Sequence, residues 1–362
     1  MADSRAPSPD ELERRLRSGR YLVTGGAGFI GSNFVRHLHE TYPGAMVTVL
    51  DKLTYAGNPA NLADREGHPG YRFVQGDICD AELVEKLLAE RYDWVVNFAA
   101  ETHVDRSIGD PSSFIRTDMF GVYVLLEAVR RHPVARFLQI STDEVYGEVL
   151  GDPATEDSPL MPRNPYAASK AGGDRLAYSY YATYGLPVVI TRCSNNYGPY
   201  QYPEKLIPLF VTNALAGEKL PVYGTGRNTR DWIHVRDHCR ALAALLCKPG
   251  VEGEVFNIAA GEERNVLEIA AGILEHLGKP KELVAHVVDR PGHDRRYAMA
   301  WNKLEQATGW RPAETFEDGL AQTIDWYREH EEWWRPLKTG EFLEYYRRNY
   351  KFLDSDGGAQ AP

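Results

Sequence analysis

The chain has 362 residues, 43% of them hydrophobic and 25% charged, with a net charge of −10. Such a composition suits an ordinary soluble protein of one large or two unequal domains. Its acidic balance gives no electrostatic footprint for nucleic acid, while leaving room for a local basic pocket that could take a diphosphate. No apolar run approaches the roughly 18 residues that span a bilayer. The four cysteines, Cys79, Cys193, Cys239 and Cys247, lack paired metal-ligand spacing, so no metal is expected and a reduced, cytoplasmic setting suits them.

Residues 1–19 mix acids, bases and prolines without an apolar stretch, which argues against a secretory signal. They read as a flexible extension in which Pro9 could open a short helix. A buried strand over 21–24 follows, and Gly25, Gly28 and Gly31 then lead into a helical pattern that includes Phe29 and Ile30. Glycines at this spacing give a tight turn, a close backbone approach to a pyrophosphate and a helix N-terminus aimed at its negative charge. The next strand, 46–51, ends in Asp51, about twenty residues past the last glycine, where a ribose-binding carboxylate belongs. Asp51 should repel a 2′-phosphate, so NAD is favoured over NADP, although Lys52 beside it weakens that preference.

Further strand patterns at 71–75, 94–98, 136–141 and 187–192 alternate with helical ones. This rhythm predicts an α/β fold with a doubly wound, parallel Rossmann-type sheet, forming an NAD-binding domain over 20–196. Ligands in such sheets sit outside the carboxyl ends of the strands. Asp51, Asp77, Ala99, Ala100, the Thr142-Asp143-Glu144 triplet and the 193–196 run all fall there.

Tyr166 and Lys170 stand one helical turn apart on one face, with Asn164 and Pro165 suited to the cap and first position of that helix. An ammonium beside a phenol favours the phenolate, lowering a pKa that starts near ~10 and making Tyr166 a usable base. By itself this pattern reads as an exposed helix face. The Thr142-Asp143-Glu144 triplet changes that reading, because an enzyme that moves protons to and from carbon and expels water needs an acid and a base. Adjacent residues on a regular strand face opposite ways, so both carboxylates can serve one substrate only if the chain bends off the strand there.

Beyond Asn196 prolines punctuate short segments. Residues 197–353 are expected to form a smaller, mainly substrate-binding C-terminal lobe with segments returning to the sheet, followed by a flexible tail over 354–362. Arg230, Arg236, Arg290, Arg295 and Arg296 lie in that lobe. Some of them could clamp a diphosphate bidentately, although each taken singly is more often a solvated charge. The 325–334 stretch reads as an amphipathic helix burying aromatics for packing.

Taken together, the glycine loop, the 99–108 run from Ala99 to Ile108, the 141–147 run, the 192–209 run, the 228–238 run and the 289–294 run closely resemble the dTDP-glucose 4,6-dehydratases. These are lyases of the extended short-chain dehydrogenase/reductase family. The resemblance covers roughly residues 20 to 350, and the N-terminal extension departs from it. It implies tightly held NAD, with Asp51 on the adenosine ribose and Asp77 and Ile78 near the adenine. Ala99, Ala100 and Thr117 would line the path to the nicotinamide, and Asn196 would face the cofactor. It further implies a nucleotide-sugar substrate touched by Thr102, Thr142, Asn195, Lys205, Leu206, Pro221, Tyr223, Arg230, Asn265, Arg290 and His293. In that set Tyr223 stacks on the base and Arg230 meets the diphosphate.

The chemistry expected on this basis is redox-neutral. Tyr166, supported by Lys170 and Thr142, takes the proton of the sugar 4-hydroxyl as NAD oxidises C4. Glu144 removes the C5 proton, Asp143 protonates the departing 6-hydroxyl, and reduction at C6 gives dTDP-4-keto-6-deoxyglucose. A nucleotide-sugar 4-epimerase would need Tyr166 and Lys170 but not the two carboxylates. A UDP-sugar 4,6-dehydratase is a further alternative, since one methyl is worth only about 1–3 kcal/mol of discrimination. An NAD-sensing scaffold without turnover is the rival from another class. The resemblance also implies a homodimer through helices at about 115–131 and 166–184, the second carrying Tyr178, Tyr180, Tyr181 and Tyr184.

Overall fold

The computed structural model describes residues 8–289 and 292–350. Its strands are β1 (Arg20–Thr24), β2 (Met46–Asp51), β3 (Tyr71–Gln75), β4 (Trp94–Asn97), β5 (Arg136–Thr142), β6 (Val188–Cys193), β7 (Asn195–Tyr197), β8 (Leu220–Tyr223), β9 (Thr229–His234), β10 (Val255–Ile258), β11 (Glu263–Asn265) and β12 (Val284–Val287). Seven of them form one parallel sheet in the order β10–β6–β5–β4–β1–β2–β3. The six strands expected from sequence are there to within a residue or two, and β10 returns to the sheet from the C-terminal part.

Helices cover both faces, so the central strands read as continuous apolar runs. Alternate residues feed two separate cores. Leu22, Val95 and Phe137 pack on one side, and Val23, Val96 and Leu138 on the other. Strand order reverses at β1 and β4, and the crevice above that point is where such sheets hold ligands. Just beneath it Thr24 donates to Asn97 (2.5 Å), and Asn97 donates to Gln139 (2.9 Å). These buried polar groups satisfy one another across three strands.

The remaining strands make a three-stranded sheet, β11–β9–β7, and a parallel pair, β12–β8. A third core joins Tyr197, Phe210, Trp232, Ile269 and Leu320 with Tyr327 and Trp334. The last two come from the helix Phe316–Glu329 and the short turn Glu331–Trp334. The 325–334 stretch therefore packs as expected.

The short helix read from Pro9 is there, Pro9–Ser18 capped by Ser8. One expectation needs correction: within residues read as a flexible extension, its Leu12 and Leu16 are buried in the sheet core. The four-residue spacing puts both leucines on one face. The Trp94 indole donates to the Arg15 carbonyl (3.2 Å), which fastens the helix to β4. The helix expected at about 115–131 is there as part of a run from Pro111 to Arg131, with a π-helical turn, Arg116–Gly121, inserted between Pro111–Ile115 and Val122–Arg131. The expected tail over 354–362 lies outside the described residues. No helix among the described residues is long and apolar enough to cross a membrane.

Candidate active site

The glycine loop packs backbone against backbone at the edge of a groove, where side chains would not fit. Gly25 has φ 66°, and a Cβ there would stand 2.6 Å from the Ala99 nitrogen; at Gly31 it would stand 2.4 Å from the Gly25 carbonyl oxygen. The helix Phe29–Thr41 begins at Gly28 with no side-chain cap and no acid in its first turn. Its electropositive end thus forms a wall of the groove lined by Gly25, Gly28, Phe29, Ile30 and Gly31, a setting suited to a pyrophosphate.

Asp51, at the end of β2, accepts from the Ala27 N–H (2.9 Å) and the Leu53 N–H (2.8 Å). Burial raises its pKa, and these two donors oppose the rise. Lys52 pairs with Asp77 at 2.8 Å, so the cation that weakened the preference for NAD is answered by a carboxylate. Ile78, Ala99, Ala100, Thr117 and Asn196 line the same groove. A cradle without Cβ atoms, an uncapped helix end and a carboxylate at the end of β2 fit a dinucleotide.

The catalytic candidates stand at the other end of the groove. Strand β5 stops at Thr142, and Asp143–Tyr146 is a 3-10 turn in which the Thr142 hydroxyl accepts from the Glu144 N–H (3.3 Å). The bend meets the condition stated above: Asp143 and Glu144 both line the pocket, with Tyr166 and Lys170. Thr142 also donates to Asp143 Oδ1 (3.0 Å), while Asp143 Oδ2 is buried without a hydrogen-bond partner among the described residues. Burial, and secondarily the neighbouring Glu144, push the Asp143 carboxyl up to about 8. It therefore keeps its proton at neutral pH. Glu144 Oε2 accepts from the Asn164 amide (3.1 Å), while the Tyr297 hydroxyl, 3.5 Å away, gives its proton to Asp294.

Tyr166 overturns one expectation. Burial holds its phenol well above the ordinary value, Glu144 adds to the rise, and a hydrogen bond with Thr142 opposes it. The Lys170 ammonium donates to the Ile140 carbonyl (2.7 Å), so it is tied to β5. The helix Pro165–Tyr184 that carries both is capped by Asn164, whose Oδ1 accepts from the Ala167 N–H (2.8 Å).

The sequence reading missed Asp118. The π-helical turn carries it inward, where it accepts from the Glu101 N–H (3.0 Å) and the Ser169 hydroxyl (2.7 Å). Burial raises it to about 6, with Lys170 opposing. Its one sequence signal is its place directly after Thr117. Tyr297 and Gln201 also reach the site; Gln201 lies within the 192–209 run without being singled out there, and Tyr297 belongs to none of the runs.

The residues expected to touch substrate divide into two groups. Thr102, Thr142, Asn195 and Lys205 line the groove, and the Lys205 ammonium donates to the Thr102 carbonyl. Leu206, Pro221, Tyr223, Arg230, Asn265 and His293 do not line it. Tyr223 instead lies 6.1 Å from the His293 ring and 5.4 Å from the Tyr350 ring, and its hydroxyl donates to Asp105 (3.2 Å). Arg230 is buried against Tyr297, 4.2 Å above that ring, and donates to the Asp294 carbonyl (3.0 Å). Asn265 caps the helix Val266–His276. Arg290 lies outside the described residues. Of the other arginines, Arg236 donates to Gln322 (2.8 Å), and Arg296 pairs with Glu263 at 2.6 Å.

A doubly wound sheet with a glycine cradle, a Tyr/Lys helix and two carboxylates at one strand end defines a nucleotide-binding oxidoreductase scaffold adapted to elimination. The sequence matches the GDP-mannose 4,6 dehydratase family over residues 22–323. It is 55% identical to a dTDP-glucose 4,6-dehydratase of Streptomyces niveus over 88% of this chain and 96% of that one. It is 52% identical to another from an Actinoplanes species, over 87% and 99%. A dTDP-glucose 4,6-dehydratase of Streptomyces venezuelae, solved with NAD bound, superposes with a TM-score of 0.86 at 53% identity, covering 88% of this chain and all of that one. The chain belongs to the dTDP-glucose 4,6-dehydratase family.

Proposed function

We propose that this chain converts dTDP-glucose into dTDP-4-keto-6-deoxyglucose and water without net redox change. One observation carries the reading. Asp143 and Glu144, adjacent in sequence, share one pocket with Tyr166, where the chain bends off the strand and burial pushes the Asp143 carboxyl up to about 8. An epimerase has no use for that pair.

NAD, when bound, would supply a hydride acceptor for C4, a hydride donor for C6 and a positive charge that offsets the burial of Tyr166. Tyr166, once lowered to its phenolate by that charge, would receive the 4-hydroxyl proton, with Thr142 hydrogen-bonded to its phenol. Glu144, oriented by Asn164, takes the C5 proton once C4 is a ketone. Asp143 gives its proton to the 6-hydroxyl, which leaves as water, and a proton returned to C5 completes the balance. Thr102, Asn195 and Lys205 would hold the sugar diphosphate. Tyr223, Arg230 and His293 would meet the nucleotide after Tyr350 moves off the Tyr223 ring.

The test is isotopic. dTDP-glucose labelled with deuterium at C4 should give product labelled at C6, and in D2O the C5 position should gain deuterium. UDP-glucose should turn over more slowly. A label returned to C4 with C5 unexchanged would defeat the reading in favour of epimerisation.

The same reading includes a homodimer and a cytoplasmic enzyme. Tyr178, Tyr181 and Tyr184 on one helix, with Ile115, Phe120 and Tyr123 on the neighbouring segments, are exposed apolar groups in support of the dimer. Tyr180 is not part of that surface: it is buried and bonded to Glu127 (2.8 Å). A monomeric mass by light scattering at micromolar concentration would refute the dimer. The four cysteines are free thiols, in keeping with a reducing compartment, and cell fractionation tests the location.

A further inference from the structure

Asn196 lines the groove at its β6 end, and its side chain is held from two sides. Its amide nitrogen donates to the Ser194 carbonyl (2.9 Å), and its Oδ1 lies 2.8 Å from His238 Nδ1. The assignment follows from chemistry alone. A carbonyl oxygen can only accept, so the atom facing Ser194 is the amide nitrogen. The amide oxygen therefore faces His238, and His238 must carry its proton on Nδ1.

His238 comes from the helix Val235–Cys247, which packs behind the groove, and its side chain is fully buried. Its Nε2 has no hydrogen-bond partner among the described residues. A second proton there would place an unanswered charge in the core, and burial accordingly pushes the imidazole down to about 3. The ring is thus a neutral, fixed donor near neutral pH. The Gln201 amide adds a third restraint by donating to the Asn196 backbone carbonyl (2.9 Å).

We propose that His238 is a positioning residue that locks the Asn196 amide with its nitrogen on the groove side, so that the second N–H is presented to an oxygen acceptor of the bound dinucleotide. This rests on the reading of the groove as the NAD site. Because Nδ1 rather than Nε2 does the work, asparagine can replace the imidazole in part: its amide nitrogen falls near the position of Nδ1. Leucine fills the space but donates nothing.

The experiment measures the dissociation constant of NAD from the full-length protein, with melting temperature recorded alongside. The variants are His238→Leu, His238→Asn, Asn196→Ala and the double variant His238→Leu/Asn196→Ala. We expect His238→Leu to weaken NAD on the order of tenfold, His238→Asn to recover most of the loss, and His238→Leu to add nothing once Asn196 is alanine. Equal losses in His238→Leu and His238→Asn, or an undiminished effect of His238→Leu in the Asn196→Ala background, would overturn the proposal and leave a packing role. If Asn196→Ala alone binds NAD normally, the groove reading of Asn196 fails, and the proposal with it. A fourth measurement needs no variant: nitrogen NMR of the wild-type protein should show a neutral Nδ1–H histidine between about pH 5 and about pH 9. An Nε2–H tautomer would overturn the assignment even if His238→Leu does not fold.

Discussion

Asn164 and Glu144 are twenty residues apart in sequence and joined by one hydrogen bond of 3.1 Å, from the asparagine amide to the carboxylate. The other end of the same asparagine side chain caps the helix that carries Tyr166 and Lys170. One side chain thereby sets both the entry of the catalytic helix and the aim of the proposed C5 base. The two duties can be separated. Serine caps a helix as well as asparagine does but is too short to reach Glu144. Asn164→Ser should melt close to wild type and turn over on the order of tenfold more slowly, whereas Asn164→Ala should also lose about 1 kcal/mol of stability. Wild-type turnover in Asn164→Ser would show that Glu144 needs no such support.

The two carboxylates should fail at different steps. Glu144→Gln leaves oxidation at C4 possible and blocks C5 proton removal, so bound reduced cofactor should accumulate after substrate is added. Asp143→Asn should slow loss of the 6-hydroxyl while C5 exchange with solvent continues. Absorbance of reduced nicotinamide and deuterium uptake at C5 distinguish them, and identical behaviour of the two variants would contradict the division of labour.

Asp143 should also set an alkaline limit. Its folded pKa is about 8, against about 3.9 for an unfolded aspartate. Between those values the folded state binds the extra proton, so the residue's contribution to stability is whole below about pH 4 and is lost as pH rises through about 8. Turnover should fall above about pH 8. Asp143→Asn should lack this limb and should gain stability relative to wild type as pH rises from about 6 to about 9. A stability difference that stays flat over that range would refute the buried acid.

Arg106, on the short helix Val104–Gly109 after β4, bridges to the C-terminal helix Glu341–Asn349. It meets Glu204 at 2.8 Å and Glu341 at 2.5 Å, and its guanidinium lies 3.6 Å over the Tyr55 ring. The Glu204 side chain is 1% exposed, with the His103 ring 3.7 Å away. Arg106→Ala should cost about 3–5 kcal/mol, because it strands a buried carboxylate. Adding Glu204→Gln should return part of that loss in denaturant unfolding, and additive losses would argue against a coupled pair.

Leu16 tests the N-terminal helix. It is 3% exposed in the sheet core, so Leu16→Ala should cost about 2–5 kcal/mol in denaturant unfolding. A loss under about 1 kcal/mol would mean that the helix is not docked in solution.

Local chemistry is short-ranged, and what it governs was legible in the sequence. The strand rhythm, the glycine spacing, Asp51 at a strand end and Asn164-Pro165 before Tyr166 each depend on neighbours within a turn or a strand length, and together they yielded the sheet and the cofactor groove. Tertiary structure decided what distant segments do to one another. The depth at which Asp143 sits beside Glu144 fixes its proton, and the tie of Lys170 to the Ile140 carbonyl, with the burial of Tyr166, leaves the phenol high rather than low. The π-helical turn that brings Asp118 under Ser169 has no periodic signature. Residues 1–19 read as a flexible extension because the core that Leu12 and Leu16 enter is built by distant strands and helices. Burial and desolvation are properties of the assembled molecule, and pKa values and docking follow from them, so no reading of adjacent residues could have supplied either.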